Sequence, residues 1–184
     1  MIEVVLFLLA YFGAGFTLKM GDDFLDDYGQ PSYAWLPFAV SGALFGFLMA
    51  ESQWDLLLFS SIVIGVLVSG KVNKPQFSIG FIMIGIMLLI RGFPIITSLT
   101  EWLLVLVILL IASVVDERGN DWADRQQTIF ASNFFKYRFT LKISVLFLSV
   151  FWPGFWKTAV GLWLFDMGYE IAGMVDRKRV QDNH

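Results

Sequence analysis

Seven apolar runs, separated by short polar segments, divide the sequence. They extend over Ile2 to Leu18, Tyr33 to Ala50, Trp54 to Gly70, Phe77 to Ile90, Leu99 to Val115, Phe139 to Trp152 and Phe155 to Val175. A run of about 20 apolar residues, rising 1.5 Å per residue, is long enough to cross the hydrocarbon core of a bilayer. The fourth and sixth runs are shorter and would need further residues at either end. The pattern predicts an all-α, polytopic membrane helix bundle with about seven transmembrane helices.

The composition supports this class. Of the 184 residues, 57% are hydrophobic and 17% are aromatic, and the mean hydropathy is +0.69, well above that of soluble domains. No polar stretch is long enough to fold alone, so we expect a single integral membrane domain over residues 1–184 with a short cytoplasmic tail at 176–184. The sequence contains no cysteine, which excludes disulfides and thiolate chemistry.

The distribution of lysine and arginine predicts the orientation, because cytoplasmic loops of membrane proteins are enriched in both. If the N-terminus lies outside, only Arg91 and Lys157 remain outside. The other basic residues all fall on the cytoplasmic side: Lys19, Lys71, Lys74, Arg118, Arg125, Lys136, Arg138, Lys142, Arg177, Lys178 and Arg179. This asymmetry predicts a multi-pass protein of the cell (plasma) membrane with its N-terminus out and its C-terminus in. Any chemistry is expected at the cytoplasmic membrane face.

An acidic cluster follows the first apolar run directly. It contains Asp22, Asp23, Asp26 and Asp27, and positions three and four apart share one face of a helix. So many like charges on one face repel each other unless a cation lies among them. Mg²⁺ binds carboxylate oxygens together with water and phosphate, so the cluster indicates a magnesium site.

A second acidic cluster follows the fifth run, at Asp116-Glu-Arg-Gly-Asn-Asp-Trp-Ala-Asp124. On a continued helix, Glu117, Asp121 and Asp124 share a face, with Asp116 beside them. If the two clusters stand close together, each holds one Mg²⁺ and a diphosphate bridges the metals. The alternative is that both are solvated helix ends.

Four basic residues are candidates for substrate phosphate oxygens, because ammonium and guanidinium groups neutralise them. They are Lys71, Lys74, Arg125 and Arg138. The alternative is that they only set the membrane topology.

Asp166 and Glu170 lie one turn apart inside the seventh run. Ionisable groups inside a membrane span are energetically costly, so their presence indicates a functional site. They either line a polar cavity that receives substrate or pair with a cation such as Lys142. His184, at the C-terminus, is the only histidine, which argues against histidine chemistry.

These residues resemble the UbiA superfamily of intramembrane prenyltransferases. Asp22-Asp23-Phe-Leu-Asp26 is similar to that family's NDxxDxxxD motif, with Asp22 in the place of the asparagine, and Asp116-Glu-Arg-Gly-Asn-Asp121 is similar to its second aspartate-rich motif. The resemblance implies a Mg²⁺-dependent transferase that ionises the allylic C–O bond of an isoprenoid diphosphate. Its catalytic residues would be Asp22, Asp23, Asp26, Asp116 and Asp121, and Asp124 would join them as metal ligands.

Three other functions remain open. A divalent-cation channel or transporter would use the acidic mouth to gather cations and Asp166 with Glu170 as an intramembrane binding step. An alcohol phosphatidyltransferase would share the metal and the membrane, but Asp121-Trp-Ala-Asp-Arg125 lacks the glycine of that family's DG-x-x-AR motif. A subunit of a larger membrane complex would need no site. We expect membrane lipid and an isoprenoid diphosphate as partners, and no nucleic acid. The sequence leaves the oligomeric state open, and a homo-oligomer is one alternative.

Overall fold

The described part of the chain consists of seven α-helices and one short 3-10 turn, and it contains no strand. A computed structural model describes residues 2–126, 134–135 and 138–182, without the side chains of residues 2, 121, 123, 124, 126 and 176–182. The helices are α1 (Ile2–Asp26), α2 (Pro31–Glu51), α3 (Gln53–Val68), α4 (Phe77–Arg91), α5 (Leu99–Gln126), α6 (Phe139–Phe151) and α7 (Trp156–Asp182), and the 3-10 turn is Pro153–Phe155. The predicted all-α class is confirmed for these residues.

Each apolar run of the sequence contains one helix, but α1, α5 and α7 extend beyond their runs. The helix α1 continues through Lys19 to Asp26, and α5 continues through Asp116 to Gln126. Hydropathy marks where apolar side chains end, whereas backbone hydrogen bonds continue wherever the residues tolerate helical geometry. Both acidic clusters therefore lie on the last turns of long helices, except for Asp27, which directly follows the end of α1. The predicted tail at 176–184 is helical as far as Asp182, and Lys136 and His184 lie outside the described residues.

Three helical segments in the described part are long and apolar enough to cross a membrane. They are Glu3–Asp26, Pro31–Glu51 and Leu99–Asn120. The apolar helices α3, α4 and α6 are shorter, with 16, 15 and 13 residues. At 1.5 Å per residue they extend about 20 to 24 Å, less than the roughly 30 Å of a hydrocarbon core. The prediction of seven membrane spans is thus confirmed only as seven helices, three of which have the dimensions of spans.

The chain divides into two compact units. Unit 1 comprises Met1–Ala50, Lys74–Phe93 and Gly161–His184, and unit 2 comprises Glu51–Asn73 and Pro94–Val160. Nothing in the sequence marks this division, because the boundaries fall at a short turn, in polar loops and inside α7.

Unit 1 contains α1, α2, α4 and most of α7. Close contacts show that α1 and α7 run parallel: positions Gly161, Gly168 and Gly173 of α7 lie against Tyr11, Phe12 and Lys19 of α1, in that order. Ser41 donates a hydrogen bond to the carbonyl oxygen of Ala14 at 3.1 Å, while Gly21 lies against Phe38. These two contacts make α2 antiparallel to α1. The helices α2 and α4 are parallel, since Phe38 packs on Phe77 and Phe47 packs on Arg91.

Unit 2 contains α3, α5, α6 and the first turn of α7. The helices α3 and α5 run parallel, with Gly65 against Ser113 and, just beyond α3, Lys71 against Glu117. The helix α6 is antiparallel to α5: Asp116 contacts its beginning, and the indole of Trp152, just after its end, donates to Glu101 at 3.0 Å. As a result, the second acidic cluster, the loop after α3 and the start of α6 meet at one end of unit 2.

Candidate functional site

The first acidic cluster is partly neutralised inside unit 1. The ammonium group of Lys19 lies 2.6 Å from the Oδ1 atom of Asp23, one helical turn away, and Asp23 is buried. Because α1 remains helical here, an i,i+4 ion pair forms on its surface. Asp23, predicted as a metal ligand and catalytic residue, is therefore held by a cation of its own helix.

Asp22 is bound from the other side, by α7. The hydroxyl of Tyr169 donates to its Oδ2 atom at 3.1 Å. The ammonium of Lys19 also lies 5.5 Å from the centre of the Tyr169 ring, within the range of a cation–π contact. Gly173 leaves space for the Lys19 stem, because a Cβ there would come within 3.2 Å of it. Lys19, Asp22, Asp23 and Tyr169 thus form one network, which we call the α1–α7 network.

The remaining predicted residues of unit 1 have different surroundings. Asp26 is exposed on α1 one turn beyond Asp22, and Asp27 beside it is exposed as well. Asp166 and Glu170 are half-buried on α7, on either side of Tyr169. Asp22 and Asp26 thus share a face of α1; Asp22 is half-buried and Asp26 is exposed.

Asp116 caps the start of α6. Its Oδ1 atom accepts the backbone N–H of Thr140 at 3.1 Å and its Oδ2 atom accepts that of Leu141 at 2.7 Å. The first N–H groups of a helix have no acceptor within the helix. The side-chain oxygen of a Ser, Thr, Asp or Asn just before the helix usually accepts one of them. Here the residue just before the helix is Arg138, which makes no side-chain cap. A carboxylate of α5 takes over this role, and Asp116 is 2% exposed as a result.

Glu117 binds two of the predicted phosphate-binding cations at once. Its Oε2 atom lies 2.9 Å from the ammonium of Lys71, and its Oε1 atom lies 3.5 Å from the guanidinium of Arg138. We call Lys71, Glu117 and Arg138 the basic triad. Lys74 and Arg125, predicted for the same role, are exposed. Asp121 and Asp124 lie on α5, but their side chains are outside the described part.

The structure limits how a metal could be held. Among the described side chains, no group of three or more Asp, Glu, His or Cys residues lies close enough together to hold a metal ion. Mg²⁺ is commonly bound by one or two carboxylates plus substrate phosphates, so a pair of carboxylates is a sufficient protein contribution. Asp22 and Asp26 fit that role. Both oxygens of Asp116 already accept one backbone N–H group each, and its role as a metal ligand stays a prediction. The prediction that the two clusters share magnesium concerns residues of different units and stays a prediction.

The sequence interpretation missed a buried polar group at the other end of unit 2. Asp55 is 2% exposed; its Oδ1 atom accepts the hydroxyl of Thr158 at 2.8 Å and its Oδ2 atom that of Ser52 at 2.5 Å. Ser52 is also the N-cap of α3 and accepts the backbone N–H of Asp55. The Ser-x-x-Asp spacing is a sequence signal for this helix start, closely related to the capping box. The contribution of Thr158 has no such signal.

Comparisons with known proteins yield no relative from which a function could be transferred. No family model, no curated protein and no solved structure matches the chain.

Proposed function

We propose that the protein is a Mg²⁺-dependent intramembrane transferase that acts on an isoprenoid diphosphate, or a related lipid diphosphate, at the cytoplasmic face of the cell membrane. The proposal includes a relationship to the UbiA superfamily, based on the two aspartate-rich motifs that begin at Asp22 and Asp116.

The proposed topology has seven spans with the N-terminus outside. The directions of the helices within each unit support it. Consecutive spans must alternate in direction, and this requires α1 with α7, α2 with α4, and α3 with α5 to be parallel pairs. The contacts described above have these directions. With this topology Arg91 and Lys157 alone among the basic residues lie outside, in agreement with the positive-inside rule.

The observation that carries the proposal is the meeting of Lys71 and Arg138 at Glu117. The two cations come from segments far apart in sequence, and folding brings them to one carboxylate beside Asp116. Two neighbouring cations at the membrane end of a helical unit suit a diphosphate, since charge-assisted hydrogen bonds to phosphate oxygens are strong.

Asp22 and Asp26 are the carboxylates proposed to hold Mg²⁺. When bound, the metal would neutralise charge that develops on the diphosphate leaving group. The chain's own residues have separate tasks: Tyr169 and Lys19 orient Asp22 and Asp23, Asp116 holds the start of α6, and the basic triad binds phosphate. Asp116 is accordingly assigned to structure.

The test compares two neighbouring carboxylates. Purified protein in detergent micelles is titrated with farnesyl diphosphate in the presence and absence of Mg²⁺, for the wild type, Asp26→Asn and the matched control Asp27→Asn. We expect Asp26→Asn to remove most of the Mg²⁺-dependent increase in affinity, at least about tenfold, a loss of about 1.4 kcal/mol. Asp27→Asn should retain it. Equal behaviour of the two variants, or no Mg²⁺ dependence in the wild type, would contradict the proposal.

A second candidate function is divalent-cation transport. It is favoured by the half-buried positions of Asp166 and Glu170 well inside α7, away from its ends. In proteoliposomes, transport predicts Mg²⁺ uptake that Asp166→Asn abolishes. Mg²⁺ uptake by a protein that does not bind farnesyl diphosphate would support transport and contradict the transferase.

A further inference from the structure

The carboxylate of Glu117 lies between two cations in the way a phosphate would. One oxygen faces the Lys71 ammonium and the other faces the Arg138 guanidinium, at 2.9 and 3.5 Å. Ammonium and guanidinium groups bind carboxylate and phosphate oxygens with similar geometry. The site that holds Glu117 is therefore chemically a site for a phosphate group as well.

The backbone holds both cations independently of Glu117. Lys71 follows a helix C-terminus closed by Gly70, which has φ = 73°, and the N–H of Lys71 donates to the carbonyl of Val66 at 3.2 Å. This is a Schellman end of α3. Arg138 has φ = 50°, an unfavourable backbone for a residue with a side chain, and the next residues are held by Asp116. The backbone positions from which both side chains start are thus set by contacts that do not include Glu117.

In the basic triad, replacing the Glu117 carboxylate by another anion is more favourable than removing it with no replacement. Lys71 and Arg138 each face one oxygen of Glu117, and Asp116 on the same helix also interacts electrostatically with Arg138. The side chains of Lys71, Arg138 and Glu117 are 33%, 18% and 12% exposed, respectively. Partly buried cations are destabilised if their counter-ion is removed with no replacement. A phosphate group that takes the place of Glu117 keeps an anion between Lys71 and Arg138 and thus avoids this loss.

We propose that Glu117 is a built-in competitor of the substrate, occupying the phosphate position between Lys71 and Arg138 until a diphosphate replaces it. This inference rests on the proposed function, because it takes the incoming anion to be the diphosphate of the substrate. A diphosphate has several oxygens and can contact both cations at once, as the two oxygens of Glu117 do. Glu117 keeps both cations paired while the site is empty.

The test measures binding of inorganic pyrophosphate in EDTA, so that neither Mg²⁺ nor an isoprenoid chain contributes. Isothermal titration in neutral detergent is carried out on the wild type, Glu117→Gln and Glu101→Gln. Glutamine keeps the length and one oxygen acceptor of Glu117 but removes the charge. Glu101 lies on the same helix at its other end, where it binds Trp152, and Glu101→Gln makes the same change in net charge away from the triad.

We expect Glu117→Gln to bind pyrophosphate at least about tenfold more tightly than the wild type, in the range of coupling between competing ligands. Glu101→Gln should equal the wild type. Lys71→Ala should weaken pyrophosphate binding. In the Lys71→Ala protein, the further change Glu117→Gln should raise the affinity by a smaller factor than it does in the wild type. Thermal unfolding of each variant verifies that it is folded.

Weaker or unchanged binding in Glu117→Gln would overturn the inference, as would no binding of pyrophosphate to either protein. A failure of this inference can be distinguished from a failure of the proposed transferase function. If pyrophosphate binding responds to Glu117 while farnesyl diphosphate shows no Mg²⁺-dependent binding, the anion exchange stands and the transferase is rejected.

Discussion

Tyr169 on α7 donates a hydrogen bond of 3.1 Å to Asp22 on α1, two residues 147 positions apart in the chain. The bond connects the acidic end of the first helix to the last helix. It is possible because α1 and α7 run parallel in unit 1, which places Asp22, near the end of α1, beside the middle of α7. Several measurable consequences follow from this and the other contacts.

Tyr169→Phe removes the hydroxyl and leaves Asp22 without that donor. Since a hydrogen bond to a charged group contributes more than a neutral one, we expect a loss of about 1–2 kcal/mol in the free energy of unfolding. Thermal unfolding in detergent measures it. Tyr33→Phe is the matched control, because Tyr33 is 64% exposed. Equal effects in both variants would argue against a structural role for the Asp22 contact.

Gly15→Ala should disrupt the packing of α1 on α7. A Cβ at Gly15 would overlap the backbone carbonyl of Phe165, which cannot move aside as a side chain can. Overpacking of this kind costs about 1–3 kcal/mol. Gly85→Ala on α4 is the control, since a Cβ there meets nothing within 4 Å. It should leave stability unchanged or raise it by up to about 1 kcal/mol, because alanine is the better helix former.

Asp116→Asn should weaken the start of α6 by about 0.5–2 kcal/mol, the usual contribution of a helix cap. Asparagine offers one acceptor oxygen, and its amide N–H₂ cannot accept the second backbone N–H. Hydrogen exchange should accelerate at the amides of Thr140 and Leu141, and Asp27→Asn should leave both unchanged. Unaltered exchange combined with lost Mg²⁺ affinity would instead make Asp116 a metal ligand.

Asp55→Asn and Thr158→Val should be coupled, because the two side chains share a buried hydrogen bond of 2.8 Å. A double-mutant cycle should give a coupling free energy of about 1–2 kcal/mol, within the range for directly bonded groups. Replacing Thr158→Val with Thr97→Val in the cycle is the control, since Thr97 bonds to Gln53. That pair should be additive within about 0.5 kcal/mol. Additivity in the first cycle would show that the Asp55–Thr158 contact contributes nothing.

The candidate site was predictable in its residue types and only partly in its contacts. Lys71 and Arg138 were predicted as phosphate ligands from their charge and position, and the structure brings both to Glu117. The capping role of Asp116 could not be predicted, because its backbone partners lie 24 and 25 residues later on another helix. The bond between Tyr169 and Asp22 has the same explanation: no local pattern encodes a contact between the ends of a chain.

Sequence alone determined the all-α class and the seven helices of the described residues, because apolar runs of this length satisfy their backbone hydrogen bonds in lipid only as helices. It also predicts that all basic residues except Arg91 and Lys157 lie on one side of the membrane. Tertiary structure decided which charges meet. Tyr169 binds Asp22, Asp116 binds the first N–H groups of α6, and Glu117 lies between two cations. Those pairings depend on helix direction and register, which are set by close contacts such as that of Gly15 with Phe165 and have no counterpart in the pattern of hydrophobic residues.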